Sequence, residues 1–347
     1  MFSRTLERTA LGDYRFVFAS SYVPLAQLGG LVPQMARLPS ILYFHENQFA
    51  YPVAVNTSPP NDFHYGFIQA VSACAATLCV FNSAFNRDTF LEQLAQLVSR
   101  LPSPKPKDIV STIAEKSRVL GVPVDIAPAR DSRKEEDVQN RGIRLTGVPS
   151  GTSQDQRDKD LGPIILWPHR WEADKNPASF FDALLELKKL KKKFRLIVCG
   201  GASQNPEIKT LFQKCKEVFS KNYLHWGYAD SRQEYLSLLS SSHIAVSTAK
   251  HEFFGLAMME ACALGCLPLV PDGLAYKELY PKELRYTTQQ ELVDRLGRLC
   301  DAWTNKKLNL EEIKRKAMKV SRPFLAENLC PEYNRLFRAC CKMSFYA

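Results

Sequence analysis

The segment 248–260 carries the clearest chemical potential in this chain. Glu252 and Glu260 stand eight positions apart, on either side of Gly255, between a short apolar run and a predicted helix. Bare N–H groups at a helix start attract phosphate, and ionised carboxylates accept hydrogen bonds from sugar hydroxyls. The segment therefore predicts a nucleotide-sugar site. The alternative is that the two glutamates are a capping charge and part of a solvated helix face.

A second cluster lies in the segment 167–177, again between a predicted strand and a helix start. Arg170 and Lys175 are cationic donors suited to a diphosphate, because arginine can donate to two oxygens at once and lysine acts as a point charge. The alternative is a pair of surface salt bridges with Glu172 or Asp174.

A third cluster follows two apolar runs in the first third of the chain. Ligands bind beyond the carboxyl ends of strands in open parallel sheets, so polar residues at such ends are candidates for a site. A single histidine after a strand can equally be structural, and no second cluster has metal-ligand spacing. The candidate residues are His45, Glu46, Asn47, Gln48, Asn82 and Ser83.

Elements that position these clusters can be read from the apolar pattern. Short apolar runs predict strands at 15–19, 41–44, 77–81, 117–120, 163–167, 194–199, 224–227, 244–246 and 266–270. Predicted helices cover 67–76, 84–99, 177–190, 207–219, 231–239, 257–264 and 331–341. Regular alternation of strands and helices after residue 162 favours a parallel sheet covered on both faces.

Composition changes between residues 126 and 160, where charged residues, Ser, Gln and Gly replace the apolar periodicity. Such a segment predicts a flexible linker or a long surface loop. We therefore predict four parts. They are an N-terminal domain (1–125), a linker (126–161), a C-terminal domain (162–330) and a C-terminal helix or tail (331–347).

Charge and composition narrow the class of protein. The 347 residues are 45% hydrophobic and carry a net charge of +10, which suggests a polyanionic partner. Basic residues concentrate in 188–193, with five lysines in six positions, and in 306–342, where ten Lys or Arg face four Glu. Both concentrations could also be solvated helix faces. The C-terminal concentration is the better candidate for contacts with a phosphate backbone.

Location is predicted from what the N-terminus and the apolar runs contain. Residues 1–20 lack the apolar core of a signal peptide. No run approaches the roughly 18 apolar residues needed to span a bilayer. The ten cysteines form no C-x-x-C pair and read as reduced thiols. We expect a cytoplasmic protein, with the nucleus as a second location.

These clusters resemble the retaining glycosyltransferases of family four, which have the GT-B fold. The likeness rests on the Glu252–Glu260 spacing, on Arg170 with Lys175, and on the helix start at Gly255. It extends from about residue 15 to residue 290. The strings that carry it most specifically are 45–48 with Tyr51-Pro52, 81–83, 167–172 and 247–255.

The resemblance implies an α/β protein of two Rossmann-like domains with a cleft between them, and a GDP-mannose donor. His45, Glu252, Arg170 and Lys175 would be the catalytic residues, with His45 and Glu252 facing the mannose. Glu260 would accept from the ribose. No metal cofactor is expected, and same-face attack is suggested by the lack of an evident carboxylate nucleophile. Donor-binding residues would be Arg170, Lys175, Phe254, Gly255, Leu256 and Glu260.

By the same resemblance, the acceptor would be queuosine in the anticodon loop of tRNA(Asp), contacted by the third cluster. The positive net charge suits this partner independently. Family members begin with a strand and a glycine-rich loop that have no counterpart before Arg15. The N-terminal domain is therefore expected to be incomplete.

Two other functions remain open from the sequence. The basic stretches could serve an acceptor at an anionic membrane surface, which would make the protein a lipid glycosyltransferase. The chain could also be a catalytically silent form that binds the nucleotide sugar or the tRNA, because of the missing N-terminal unit.

Overall fold

The computed structural model describes residues 14–50, 64–106, 108–127, 161–305, 307 and 309–343. Its contacts divide the chain into two units, one of Met1–Val122 with Glu327–Ala347 and one of Pro123–Ala326. Each unit contains a parallel β-sheet. The predicted α/β class is confirmed. Most of the predicted linker, Tyr51-Pro52 and the segment before residue 14 lie outside the described residues.

Among its described residues, the first unit has four parallel strands in sequential order. They are β1 (Val17–Ser20), β2 (Ser40–Phe44), β3 (Leu78–Phe81) and β4 (Ser117–Val119). The helices between them are α1 (Leu25–Leu31), α2 (Pro33–Ala36), α3 (His64–Ala75), α4 (Ala84–Arg100) and α5 (Ile109–Glu115). Every residue of β2 is buried, so this strand reads as a continuous apolar run instead of an alternating one.

The described part of the second unit has six strands, all parallel. They are β5 (Ile164–Pro168), β6 (Arg195–Cys199), β7 (Tyr223–Gly227), β8 (Ile244–Val246), β9 (Leu267–Pro271) and β10 (Arg285–Tyr286). The helices are α6 (Pro177–Lys189), α7 (Pro206–Val218), α8 (Arg232–Ser241), α9 (Leu256–Ala263), α10 (Tyr276–Leu279), α11 (Gln289–Thr304) and α12 (Leu310–Ser321). The apolar pattern predicted five of these strands, but not the two-residue strand β10.

Strand order in the second sheet is β10-β9-β8-β5-β6-β7. The chain proceeds outward from β5 to β7, then returns to the other side of β5 to form β8. The order therefore reverses between β5 and β8, which are hydrogen-bonded neighbours. Ligands of open parallel sheets bind at such a switch point, beyond the carboxyl ends of the two strands.

Aromatic side chains fill the core on one face of this sheet. Trp167, Phe180 and Phe212 are almost fully buried, and the Trp167 and Phe180 rings stack at 5.7 Å. Trp171, in the loop after β5, stacks on Phe212 with ring centroids 4.0 Å apart. The loop that leaves β5 is therefore fixed by packing.

The C-terminal helix α13 (Ala326–Met343) packs on the sheet of the first unit. Phe337 stacks on Phe16 at 5.4 Å and meets Phe18 edge-on at 5.4 Å. The Tyr333 hydroxyl donates to the Gly121 carbonyl at 2.7 Å. Helix α13 thus adds to the hydrophobic core of the first unit.

No helix within the described ranges combines the length and the apolar composition that crossing a bilayer requires.

Candidate active site

Two loops meet at the switch point of the second sheet, one after β5 and one after β8. The Trp167 indole donates to the Thr248 hydroxyl at 3.2 Å, and this hydroxyl donates to the Lys175 carbonyl at 2.9 Å. The Lys250 amide donates to the Asp174 carbonyl at 2.8 Å. These bonds bring together two clusters that lie far apart in the sequence.

Lys175 lies at the centre of this junction, with its side chain 11% exposed. Its ammonium contacts Asp174 Oδ2 at 3.1 Å, Glu252 Oε2 at 3.3 Å and the His251 carbonyl at 3.0 Å. Burial opposes the charge, but the two carboxylates more than offset burial and raise the Lys175 pKa. The site therefore holds a positive charge at neutral pH, in surroundings of low dielectric.

Glu252 has both carboxylate oxygens engaged. Oε2 faces Lys175, while Oε1 accepts from the backbone amides of Phe253 at 3.2 Å and Phe254 at 3.4 Å. The carboxylate is thereby held in one orientation at the turn before α9.

Gly255 begins α9 in a left-handed conformation, with φ 80°. A Cβ atom here would lie 3.0 Å from the ring of Tyr276, so both the backbone and the close approach require glycine. No side chain of the described residues caps this helix. The amides of its first turn are therefore available to an anion. Phe254 lies before Gly255 and is buried, whereas Leu256 lies after it and is 40% exposed.

Two buried histidines, His169 and His251, flank Lys175, and neither was a candidate from the sequence. Burial, followed by the positive charge of Lys175, lowers the pKa of His169 to about 3 and that of His251 to about 4. Both imidazoles are therefore neutral at physiological pH. His169 packs edge-on against Trp167 at 5.1 Å. The only sequence signal for the histidines is their place in the family-like strings.

Glu260, predicted to accept from a ribose, has a side chain that is only 7% exposed. Arg232 from α8 donates to its Oε1 at 2.5 Å, and Tyr235 also hydrogen-bonds to it. Arg232 further donates to the Asp125 carbonyl at 3.0 Å. A carboxylate has about four acceptor positions, so Glu260 retains capacity for further donors. Neither α8 residue was a candidate from the sequence.

Arg170 lies at the surface, with its side chain 64% exposed and an ion pair to Glu172 at 3.3 Å. The salt bridges that the sequence suggested as an alternative, Arg170 with Glu172 and Lys175 with Asp174, are both present. The two differ in burial, which gives Lys175 far stronger electrostatics than Arg170.

Three residues of the third cluster support the loops of the first unit from inside. Asn47 is fully buried and donates to Asn86 Oδ1 at 3.0 Å. Asn82 donates to the His45 carbonyl at 2.7 Å. Ser83 caps α4 by accepting from the Asn86 amide, which confirms the predicted cap. Contact between these residues and an acceptor stays a prediction.

The other members of the cluster reach the surface beyond β2. His45 is exposed, and partial burial lowers its pKa. The Gln48 amide donates to Glu46 Oε1 at 2.9 Å, and the Tyr22 hydroxyl also bonds to Glu46. Tyr22 was not a candidate from the sequence. It follows β1, and the pairing of β1 with β2 brings its hydroxyl next to Glu46 and Gln48.

Within the described residues, no three His, Cys, Asp or Glu side chains lie close enough together to hold a metal ion. Lack of a metal requirement stays a prediction.

Comparison with known families matches both units. Residues 1–124 match the family described as tRNA-queuosine alpha-mannosyltransferase N-terminal. Residues 152–319 match glycosyl transferases group 1. The chain is 38% identical over 287 residues to the tRNA-queuosine alpha-mannosyltransferase of Drosophila melanogaster, covering 83% of this chain and 71% of the relative.

Solved structures share the fold. The Anabaena HepE protein in complex with UDP aligns with a TM-score of 0.66 at 14% identity, over 97% of this chain and 82% of HepE. Sucrose-phosphate synthase of Thermosynechococcus elongatus aligns with a TM-score of 0.65 at 16% identity, over 97% of this chain and 77% of the synthase. These likenesses confirm the predicted GT-B fold.

Proposed function

The chain belongs to the tRNA-queuosine alpha-mannosyltransferase family, and we propose that it transfers mannose from GDP-mannose to queuosine in the anticodon loop of tRNA(Asp). The reaction would be retaining. Support comes from the family-like N-terminal region and from the geometry of the second unit. The net charge of +10 also suits a polyanionic acceptor.

Lys175 is the observation that carries this proposal. Its buried ammonium lies against Glu252, in the turn that precedes the uncapped start of α9. When the bond between mannose C1 and the β-phosphate oxygen breaks, negative charge develops on the departing GDP. A fixed cation and bare amides would stabilise this charge more in the transition state than in the ground state.

Glu252 has a supporting role in this mechanism. Its oxygens are held by Lys175 and by two backbone amides, so it is suited to orienting sugar hydroxyls and poorly suited to acting as a nucleophile. The acceptor hydroxyl would form the new bond to C1 on the face that GDP leaves. Its proton would pass to the leaving phosphate oxygen, and the bonding electrons would leave with GDP.

Arg170 and Glu260 would complete the donor site. The exposed pair between Arg170 and Glu172 contributes little stability, so Arg170 can exchange this partner for a diphosphate oxygen. Glu260, oriented by Arg232, would accept a hydrogen bond from a ribose hydroxyl. Phe254, Gly255 and Leu256 would supply the backbone around the diphosphate.

The acceptor would bind to the polar cluster beyond β2. Glu46 is held by Tyr22 and Gln48, and an oriented carboxylate suits the vicinal hydroxyls of the queuosine ring. His45 would face the mannose. All ten cysteines are free thiols, which supports a location in the reducing cytoplasm or nucleus.

Thermal protection and nucleoside mass spectrometry test the proposal together. We expect GDP to raise the melting temperature and UDP to leave it unchanged. Incubation with GDP-mannose and queuosine-containing tRNA(Asp) should yield mannosyl-queuosine. Equal protection by the two nucleotides would overturn the donor assignment. Transfer to lipid extracts, with none to tRNA, would overturn the acceptor.

A further inference from the structure

Lysines gather at the edge of the second sheet where β6 and β7 begin. We call Lys188, Lys191, Lys193, Lys216 and Lys221 the lysine surface. The Lys188 ammonium donates to the Val218 carbonyl at 2.7 Å, and the Asn222 amide donates to the Phe194 carbonyl at 3.0 Å. These bonds join the lysine run at the end of α6 to the end of α7.

The lysine surface keeps its positive charge because two neighbouring carboxylates pair with other lysines. Lys189 pairs with Glu186 and Lys192 pairs with Asp301. Among the described residues, the five members of the lysine surface form no ion pair with a carboxylate. Lys188 and Lys216 instead lie over the rings of Phe219 and Tyr223. Crowded like charges destabilise a fold, so folding does not account for this concentration.

The backbone conformation of Lys191 is a second indication that the lysine surface binds a partner. It follows α6 with φ 55°, its amide donates to Lys188, and the Lys192 amide donates to Leu187. This is the Schellman arrangement, in which glycine is the favoured residue at the left-handed position. A lysine here accepts backbone strain and keeps a charged side chain at the surface.

Helix α6 fixes the distance between the lysine surface and the candidate active site. It begins directly after Lys175 and Asn176 and runs for 13 residues, which is about 20 Å at 1.5 Å per residue. The site lies at the carboxyl ends of the strands, and the lysine surface lies at their amino ends. A ligand that spans both must therefore be long and anionic.

We propose that the lysine surface binds the phosphate backbone of the tRNA outside the anticodon loop. This rests on the proposed function, which supplies a polyanion that extends well beyond the modified base. Lysines act as point charges on phosphates without reading sequence. Exposed Leu190 and Val218 lie in the same region, so an anionic membrane is the competing partner.

A triple variant tests the proposal: Lys191→Asn, Lys193→Gln and Lys221→Gln. Asparagine tolerates the left-handed backbone, and the two lysines that cover aromatic rings are kept. We expect the slope of log affinity for tRNA against log salt to fall by about 0.7–0.9 per lysine removed. KM for tRNA should rise several-fold while kcat changes little.

The control is a second triple variant, Lys209→Gln, Lys277→Gln and Lys282→Gln. These lysines are exposed elsewhere in the same unit, and replacing them removes the same amount of charge. An equal fall in salt slope in the control would mean that net charge alone matters, and would overturn the proposal. A second result would also overturn the proposal. In it, the first triple variant would bind more weakly to vesicles of phosphatidylcholine and phosphatidylserine but would keep its affinity for tRNA.

Lys191→Gly separates a structural role from a binding role. If the lysine surface binds RNA, this variant should melt at the same or a higher temperature and bind tRNA more weakly. A lower melting temperature with unchanged tRNA affinity would show that Lys191 serves only the fold. If lysine-dependent tRNA binding persists but no mannosyl-queuosine forms, the proposed function fails while the lysine surface stands.

Discussion

A buried ammonium between two carboxylates dominates the candidate site at the scale of single residues. Lys175 keeps its charge because Glu252 and Asp174 offset the cost of burial. The three side chains depend on one another, since each would be an uncompensated buried charge without its partners. In the proposed reaction, stability and catalysis are therefore coupled at this point.

Replacing Lys175 with Met should abolish GDP protection. It should also lower kcat/KM for mannosyl transfer by about 10²–10³-fold, the usual loss for one charge-stabilising donor. The variant also leaves Glu252 and Asp174 without their cationic partner, which should lower stability by about 3–5 kcal/mol. Adding Asp174→Asn should recover part of that stability without activity. Lys250→Met, an exposed lysine of the same region, is the control and should retain activity.

Gly255→Ala should destabilise the second unit and weaken GDP binding. A left-handed alanine costs about 1–2 kcal/mol, and its Cβ would press on Tyr276. Chemical denaturation measures the first effect and calorimetric titration with GDP the second. Gly273→Ala is the matched control, because no atom lies within 4 Å of its added Cβ. Similar losses in both variants would contradict this role.

Acidification should unfold the second unit through His169 and His251. Their pKa values, near 3 and 4 when folded, return to about 6.5 on unfolding. Between pH 6.5 and 4 the unfolded state binds more protons, so stability falls as pH falls. It is retained in full above pH 6.5. The slope approaches about 1.4 kcal/mol per pH unit per histidine. The double variant His169→Asn, His251→Asn should flatten the urea-unfolding slope between pH 7 and 5, and an unchanged slope would refute this.

At the scale of elements, the packing of helices α13 and α6 determines which sheet each of them supports. Helix α13 is the last element in sequence, yet its aromatic residues cover strands of the first unit. Helix α6 links the candidate site at one sheet edge to the lysine surface at the other. Helix α6 fixes the separation of these two regions because it packs along its length on the sheet.

Phe337→Ala should destabilise the first unit without affecting the donor site. The ring loses its contacts with Phe16 and Phe18. The cost should be about 1–3 kcal/mol, below that of a fully buried phenylalanine. We expect a lower melting temperature but an undiminished temperature shift on adding GDP. Arg338→Ala, the exposed neighbour, should melt as the parent does. Loss of the GDP shift in Phe337→Ala would contradict separate support of the two units.

Charge is the property of the whole molecule that bears on function. A net charge of +10 draws a polyanion to the protein at long range, while local sites decide where it binds. In the proposed reaction, the positive charge that meets the departing diphosphate comes from protein side chains and backbone amides.

Metal removal should therefore leave mannosyl transfer unchanged. We expect equal initial rates before and after dialysis against EDTA, with the tRNA folded beforehand and kept folded with spermidine. GDP protection, measured without tRNA, should also persist. Loss of mannosyl transfer and of GDP protection in EDTA, with recovery on adding Mg²⁺, would contradict a site that relies on protein side chains and backbone amides alone.

Local spacing by itself determined much of this protein. The sequence predicted strands β1 to β9 to within two residues, most clearly β2, β5 and β8, because a fully buried strand needs a continuous apolar run. Ser83 and Ser231 were recognisable as helix caps from their own positions. The strand–turn–helix at Glu252 and Gly255, and the cations at Arg170 and Lys175, were likewise visible as local patterns.

Only the tertiary structure decided which of these patterns meet. Strand order depends on pairings between distant segments, so β5 and β8 become neighbours without any local signal. That pairing sets Lys175 against Glu252, 77 positions away, and buries Lys175 almost fully and Glu252 in part. Long-range packing also turned Asn47 and Asn82 inward and supplied Arg232 to Glu260. The sequence specifies the chemical groups, and the sheet order fixes their partners, since contact and burial arise only when the strands assemble.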